Sequence, residues 1–200
     1  MRTLAFFAML ACGRPSFAVI IDRIAIVIDN RPIKDSDIDR EIRVAAFLNG
    51  EPLSFSPAER KKAAQRLIDQ RIIRRETELG NYGTASDEEV AAFLKGVTQQ
   101  RFRVATQYNE ALRDYGLSDR ELRAQLRWQI TVLHFIETRF RPAVIVSDAG
   151  IDRYAKAHPK ESRAQVEEFL VGQEVTDAFD GWLSRARKRI PVEYREEELR

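Results

Sequence analysis

The sequence contains few of the residues on which metal sites and active sites most often depend. It has one cysteine, Cys12, and two histidines, His134 and His158. His134 has no second histidine or cysteine at metal-ligand spacing, and His158 has no partner that would suggest a catalytic triad. H-E-x-x-H, G-x-S-x-G and glycine-rich phosphate-loop motifs are also absent. These absences favour a binding protein over an enzyme, and we predict no catalytic residue, cofactor or metal.

The chain also lacks a hydrophobic run long enough to span a membrane. Its N-terminal apolar stretch, residues 4–11, is far shorter than the ~20 residues of a spanning helix. A positive charge precedes this stretch, and the small residues Ser16 and Ala18 follow it at the positions that a signal peptidase accepts. We therefore predict an export signal over residues 1–18, cleaved after Ala18. The alternatives are a buried N-terminal helix and a lipoprotein acylated at Cys12.

Neither sign of charge predominates in the chain. The full sequence has 33 Lys and Arg residues against 31 Asp and Glu residues. Because the predicted signal contains two arginines and no acidic residue, 31 residues of each sign remain after cleavage. This balance argues against a nucleic-acid partner, which would require a basic surface. The cleaved chain would contain no cysteine and thus no disulfide, so we expect residues 19–200 to form one domain stabilised by burial alone.

Helical spacing and capping signals dominate the rest of the sequence. Serine, proline and glutamate recur at helix-start positions, and glycine follows several apolar stripes. Ser36 is the expected N-cap of the first helix, and Glu59, Glu89 and Glu121 are expected to complete capping boxes. The predicted helices start at Ser36, Ser56, Ser86, about Ala105, Ser118, Ser147 and after residue 162, and the one from Ser118 to about Phe140 is expected to be the longest.

The helix after Ser118 has two apolar stripes, which predict a central helix packed between two layers. One stripe contains Leu122, Leu126, Ile130 and Leu133, and the other contains Trp128, Val132 and Phe135.

Two segments have the pattern of strands rather than helices. Residues 24–28 are all apolar, which indicates a strand covered on both faces, and Asp29 and Asn30 favour a tight turn into a short partner strand. Residues 190–194 are also predicted to be extended. The charged tail, residues 196–200, is expected to contribute little to stability.

Several motifs, in this order and spacing, resemble the SurA family of periplasmic chaperones. Residues 22–30, with Ile33 and residues 36–38, resemble the mature N-terminus of that family, and residues 67–73 resemble its second core helix. Residues 115–118 with 122–127 resemble the next block, and Phe179, Trp182, Leu183 and residues 192–194 resemble the C-terminal helix and closing strand. The resemblance implies a mainly α fold, a multi-helix SurA/trigger-factor-like chaperone core. A small antiparallel β-sheet would join the N-terminal hairpin to the C-terminal strand.

The chain departs from this family at one place. SurA-like proteins carry one or two parvulin prolyl isomerase domains between the long-helix region and the C-terminal helix. Here that interval is only residues 158–162, too short for a domain of roughly a hundred residues. The expected organisation is an N-terminal part over residues 19–157, a short turn over 158–162, and a C-terminal helix and strand over 163–195.

The resemblance implies a periplasmic chaperone that binds unfolded exported polypeptides, such as outer-membrane protein precursors, without ATP. The alternatives are a relative or subunit of a peptidyl-prolyl isomerase, a surface-anchored foldase-type lipoprotein, and a structural envelope protein. Aromatic side chains are the candidates for client contact. They are Phe47, Phe55, Phe93, Phe102, Tyr108, Trp128 and Phe135.

Overall fold

The computed structural model describes residues 22–80 and 82–200, so the predicted signal and its cleavage site lie outside the described residues. These ranges contain three strands and seven α-helices, which confirms the predicted mainly helical fold with a small antiparallel sheet. The strands are β1 (Ile24–Ile28), β2 (Arg31–Lys34) and β3 (Val192–Tyr194). The helices are α1 (Asp35–Asn49), α2 (Pro57–Leu79), α3 (Asp87–Arg101), α4 (Ala105–Asp114), α5 (Asp119–Arg139), α6 (Asp148–Ala157) and α7 (Arg163–Arg189).

The sheet joins the two ends of the described chain. Its strand order is β2-β1-β3, with both pairs antiparallel and Ile26 opposite both Ile33 and Tyr194. Asp29 and Asn30 have φ values of 49° and 59°, the left-handed conformation that a two-residue hairpin turn requires. The predicted pairing of the C-terminal strand with the N-terminal hairpin is therefore confirmed.

One hydrophobic cluster, which we call the sheet core, packs the N-terminal half of α1, α2, the C-terminal half of α5 and α7 against the sheet. Phe135 is completely buried there, with its ring centroid 5.3 Å from that of Trp182. Apolar residues from both ends of the chain complete the cluster. Its buried members are Ala25, Ile26, Ile28, Ile33, Ile38, Ile42, Ala63, Ala64, Ile68, Ile72, Ile73, Phe135, Leu183 and Leu199.

A second cluster, which we call the helical core, lies among α1, α3, α4 and the N-terminal half of α5. Because α5 contributes to both clusters, the predicted central helix between two layers is confirmed. Leu133 is an exception to the predicted stripe, since its side chain is exposed. The buried members are Val44, Phe47, Ala85, Val90, Leu94, Leu112, Leu117, Leu122, Leu126 and Ile130.

One predicted N-cap and one predicted capping box are wrong. The N-cap of α1 is Lys34, whose backbone N–H donates to the Asp37 carboxylate at 3.0 Å. Ser36 lies inside the helix, where its hydroxyl and backbone N–H both donate to Asp22. At α2, Ser56 caps the helix as predicted, but the Glu59 carboxylate pairs with Lys62 at 2.8 Å instead of completing a capping box. The reciprocal capping boxes predicted for α3 and α5 are present.

Two expectations about the C-terminal region are also wrong. The longest helix is α7, with 27 residues against 21 in α5. The residues after β3 are part of the structure, because a 3-10 turn at Glu197–Leu199 buries Leu199 in the sheet core. Arg60 also donates to the Glu196 carboxylate at 3.3 Å. The tail over residues 196–200 therefore contributes to packing.

Helices α6 and α7 pack against each other and are joined by residues 158–162 alone. Within the two described ranges, no helix is both long and apolar enough to cross a membrane.

Candidate functional site

An open apolar cleft lies between the C-terminal half of α3 and the start of α4. Leu94, Phe102, Val104 and Tyr108 form its apolar part, and its volume is about 380 Å³. Polar and basic residues complete the lining, namely Lys95, Thr98, Gln99, Arg103 and Arg123. Val104 is 54% exposed, so the cleft presents apolar surface to the solvent. We refer to this feature as the apolar cleft. Its shape and chemistry suit an apolar side chain of another molecule.

An aromatic cluster built around Phe47 of α1 packs behind the two aromatic residues of the apolar cleft, and we call this cluster the floor of the cleft although Phe47 itself does not line it. The Phe47 ring is completely buried, and its centroid lies 6.3 Å from those of both Phe102 and Tyr108. Tyr115, which sequence reasoning did not select, packs edge-on against Phe47 at 5.6 Å. Edge-to-face and offset aromatic pairs stabilise one another beyond the burial of their area. The cleft is therefore preformed.

A hydrogen-bond network fixes the Tyr108 ring in the wall of the cleft. The Tyr108 hydroxyl donates to the Asp119 carboxylate at 2.6 Å, and Arg123 donates to the same carboxylate at 2.6 Å. Burial and the neighbouring Asp119 raise the pKa of Tyr108 above its ordinary value. Burial opposes the ionisation of Asp119, but the hydrogen bonds from Tyr108 and Arg123 prevail and lower its pKa. At neutral pH the wall thus holds a neutral phenol and an ionised carboxylate.

A second concave surface, which we call the arginine groove, runs between α2 and α5 and is closed at its sides by β2 and α1. Its volume is about 640 Å³. Trp128 of α5 lies in this groove, with the Arg74 guanidinium 4.1 Å from the centroid of its ring. The arginines that line it are Arg31, Arg40, Arg71, Arg74 and Arg120.

The seven predicted client-contact residues do not form one surface. Phe102 and Tyr108 line the apolar cleft, and Trp128 lines the arginine groove. Phe47 and Phe135 have no exposed surface, so in this conformation they support the two cores.

Phe55 and Phe93 are 39% and 45% exposed but lie outside both concave surfaces. Val104 was not among the predicted residues. The only signal for Val104 in the sequence is that it is an apolar residue directly before a predicted helix.

Each of the two histidines contacts the side chain of another residue. His134 lies 2.9 Å from the Glu89 carboxylate, and the His158 ring stacks on Tyr154 with a centroid distance of 4.0 Å. No group of three or more potential metal ligands occurs in the described part of the chain.

Comparison with known proteins identifies a partial SurA-like relationship. The chain is 27% identical over 165 residues to the Chaperone SurA of Saccharophagus degradans, an alignment that covers 78% of this chain and 38% of that protein. It is 22% identical over 191 residues to the Chaperone SurA of Alkalilimnicola ehrlichii, covering 94% of this chain and 44% of the relative. The Chaperone SurA of Pseudomonas aeruginosa is 25% identical over 153 residues, covering 74% and 36%.

The chain therefore spans about two fifths of the length of these curated relatives. No protein-family model matches the sequence. The relationship agrees with the resemblance on which the fold was predicted.

Proposed function

We propose that this chain is a chaperone that binds apolar side chains of unfolded polypeptides in the apolar cleft between α3 and α4. The observation that carries the proposal is the open, preformed cleft on its rigid aromatic floor. The similarity to proteins named Chaperone SurA supports the same role. Burial of one apolar side chain contributes roughly 1.5–3 kcal/mol, which gives contacts weak enough to release without ATP.

We propose that the clients are exported polypeptides, including outer-membrane protein precursors, and that binding occurs in the periplasm. The export signal predicted over residues 1–18 supports this location. N-terminal sequencing of the protein from the cell envelope tests it, with Val19 expected as the first residue. A chain beginning at an acylated Cys12 would instead identify a lipoprotein, and an uncleaved cytoplasmic chain would contradict export.

Light scattering of an aggregating client tests the chaperone proposal directly. An outer-membrane β-barrel protein is diluted from urea with or without the purified chain that begins at Val19, and the chain is expected to slow the rise in scattering. Val104→Asp places a charge in the apolar cleft and should remove most of this protection. Ile145→Asp is the matched control, because Ile145 is 91% exposed and does not line the cleft.

Each outcome of the scattering experiment has a separate meaning. Aggregation that proceeds unchanged with the unmodified chain in molar excess would reject the chaperone role. Equal protection by the Val104→Asp and Ile145→Asp variants would retain that role but reject the cleft as its site.

The unmodified chain that begins at Val19 also tests the isomerase alternative. Residues 158–162 are the whole connection between α6 and α7, so we expect no acceleration of a proline-limited refolding reaction. Acceleration at substoichiometric amounts would instead favour an isomerase.

A further inference from the structure

The arginine groove contains more positive charge than its own acidic residues neutralise. Arg31 pairs with Glu78 at 3.4 Å, and Arg40 pairs with Asp37 at 3.1 Å and with Glu121 at 3.6 Å. These two arginines therefore have partners within the groove.

The other three arginines of the groove have no carboxylate partner among residues 22–80 and 82–200. They are Arg71 and Arg74 on α2 and Arg120 on α5. Arg71 donates to the Pro32 backbone carbonyl at 3.2 Å, which leaves its charge uncompensated. The fourth acid of the groove, Glu41, is engaged by Arg66 at 2.7 Å and by Gln70 at 3.1 Å.

Arg74 is the most informative of the three. Its guanidinium stacks on Trp128 and donates no hydrogen bond to any other described residue. A stacked guanidinium keeps its five N–H donors in the plane of the group, where they match the geometry of a carboxylate. Burial and the neighbouring charge of Arg71 lower the pKa of Arg74, and the nearby Glu78 carboxylate offsets only part of this shift. An anion at this position would offset the repulsion between the two arginines.

Spacing along the helices places Arg71 and Arg74 beside Trp128, with Arg120 farther along the groove. Arg71 and Arg74 are three residues apart on α2 and thus share a face. Arg120 precedes Trp128 by eight residues, about 12 Å along α5. All four line the same groove, along with apolar residues that include Leu67 and Ala124. The groove therefore offers a cationic edge beside an apolar wall.

We propose that the arginine groove binds a polypeptide carboxylate, held by Arg74 and Arg71 from α2, with an adjoining apolar side chain against Trp128. Arg120 of α5 lines the same groove and adds positive charge there. The carboxylate is that of the C-terminus or of an acidic side chain. A single negative charge fits better than a doubly charged phosphate, because Glu78 and Glu121 line the same groove. The choice of a polypeptide as the carrier rests on the chaperone proposal.

Fluorescence anisotropy with three rhodamine-labelled peptides tests this site. Each peptide consists of glycine and serine followed by one variable residue and two leucines. The first has glutamine at the variable position and a free C-terminal carboxylate, the second has glutamine and a C-terminal amide, and the third has glutamate and the amide. A charge-assisted pair should make a carboxylate peptide bind on the order of ten-fold more tightly than the neutral amide.

The preference between peptides identifies the source of the carboxylate. Tight binding of the first peptide alone assigns the C-terminal carboxylate, and tight binding of the third alone assigns the acidic side chain. Equal binding of both assigns any carboxylate, and each of these results supports the proposal. Equal binding of all three peptides would overturn it, as would stronger displacement of the peptide by phosphate than by acetate at equal concentration.

Variants connect the preference to the arginines. Arg74→Gln should reduce the affinity for the carboxylate peptide to that for the amide peptide. Arg120→Gln should weaken the preference, and since Arg120 is exposed, this variant provides a second test if Arg74→Gln fails to fold. Arg153→Gln, at an exposed arginine of α6 outside the groove, is the control and should leave the preference unchanged. A preference that survives both Arg74→Gln and Arg120→Gln would overturn the proposal.

The experiment also separates this proposal from the chaperone role. If the unmodified chain fails to slow aggregation but still prefers the carboxylate peptide, the groove stands and the chaperone proposal fails. If it slows aggregation and binds all peptides equally, the chaperone proposal stands and the groove proposal fails. Retention of the preference by Val104→Asp would show that the cleft and the groove are independent sites.

Discussion

The sheet core and the helical core differ in how the chain closes them. Segments from both ends of the described chain build the sheet core, because β1 pairs with β3 and Leu199 packs beneath them. Arg60 reinforces this closure through Asp35 at 2.7 Å and Glu196 at 3.3 Å. The helical core is drawn from residues 44–130 only, and one of its sides opens into the apolar cleft.

This difference separates stability from binding. The sheet core has strands on one side and the longest helix on the other, so most of its large side chains are covered. The helical core leaves the edges of Phe102 and Tyr108 accessible above buried Phe47. Because α5 contributes to both cores, the well-packed sheet core supports the apolar cleft, which has few packing contacts of its own.

The largest effect is expected when the sheet core loses its C-terminal closure. Deleting residues 190–200 removes Ile190, Val192, Tyr194 and Leu199 from that core. Buried Leu199 alone contributes ~1.5–3 kcal/mol, and each of the three partly buried side chains contributes less. With the lost pairing of β3, the sum is a large share of a typical total stability of about 5–15 kcal/mol. We expect a sharply lower melting temperature by circular dichroism, with self-association through the exposed edge of β1.

Deleting residues 196–200 alone provides the matched comparison. It removes buried Leu199 and the Arg60–Glu196 hydrogen bond while leaving β3 in place. A decrease of about 2 kcal/mol is expected, clearly smaller than that of the longer deletion. An unchanged melting temperature would show that the C-terminal turn does not contribute to the sheet core.

Removing one buried ring in either core should cost less than the longer deletion but more than the loss of residues 196–200. Phe135 and Phe47 are both 0% exposed, and Phe→Ala in a core costs about 3–5 kcal/mol. Urea unfolding should therefore show similar losses for Phe135→Ala and Phe47→Ala. Only Phe47→Ala removes the floor of the apolar cleft, so only that variant should also lose protection against aggregation at temperatures where it remains folded. Equal loss of protection in both variants would contradict the separation of the two cores.

The smallest effect concerns pH and again belongs to the sheet core. Burial opposes the ionisation of Asp35, but the hydrogen bonds from Arg60 and Arg23 and the positive charge of Arg60 prevail and lower its pKa below the usual 3.8. A carboxyl with a lowered folded-state pKa stabilises the protein above its unfolded pKa, and this stability is lost as the pH falls through the folded value. Urea unfolding should show a decline below about pH 4 that is reduced in Asp35→Asn. The same decline in both proteins would exclude Asp35 as its source.

Local patterns predicted the elements of this fold well, and they failed where a distant residue intervened. The serine caps of α3 and α5 follow from residues three positions apart, and both are present. Ser36 has the same local signature, but Asp22 accepts its hydrogen bonds from beyond the hairpin. The burial of Leu199 within a charged tail likewise depends on α2, which no nearby residue indicates.

The binding surfaces could be predicted only in part. Composition and spacing identified Phe102, Tyr108 and Trp128 as aromatic candidates, but they assigned equal weight to Phe47, whose ring is buried. Exposure depends on which helices meet, and periodicity within one helix does not determine that. The stacking of Arg74 on Trp128 joins α2 to α5. Nothing in the sequence distinguishes this arginine from a solvated one.

The strand order also has a consequence for the timing of folding. Ile26, near the start of the described chain, completes its pairing only with Tyr194, so the sheet cannot close until almost all of these residues are available. Contacts between residues so far apart in sequence form slowly, because a long loop must first be closed. A chain growing from its N-terminus therefore lacks its finished sheet until Tyr194 has emerged, and one edge of β1 stays unpaired before then.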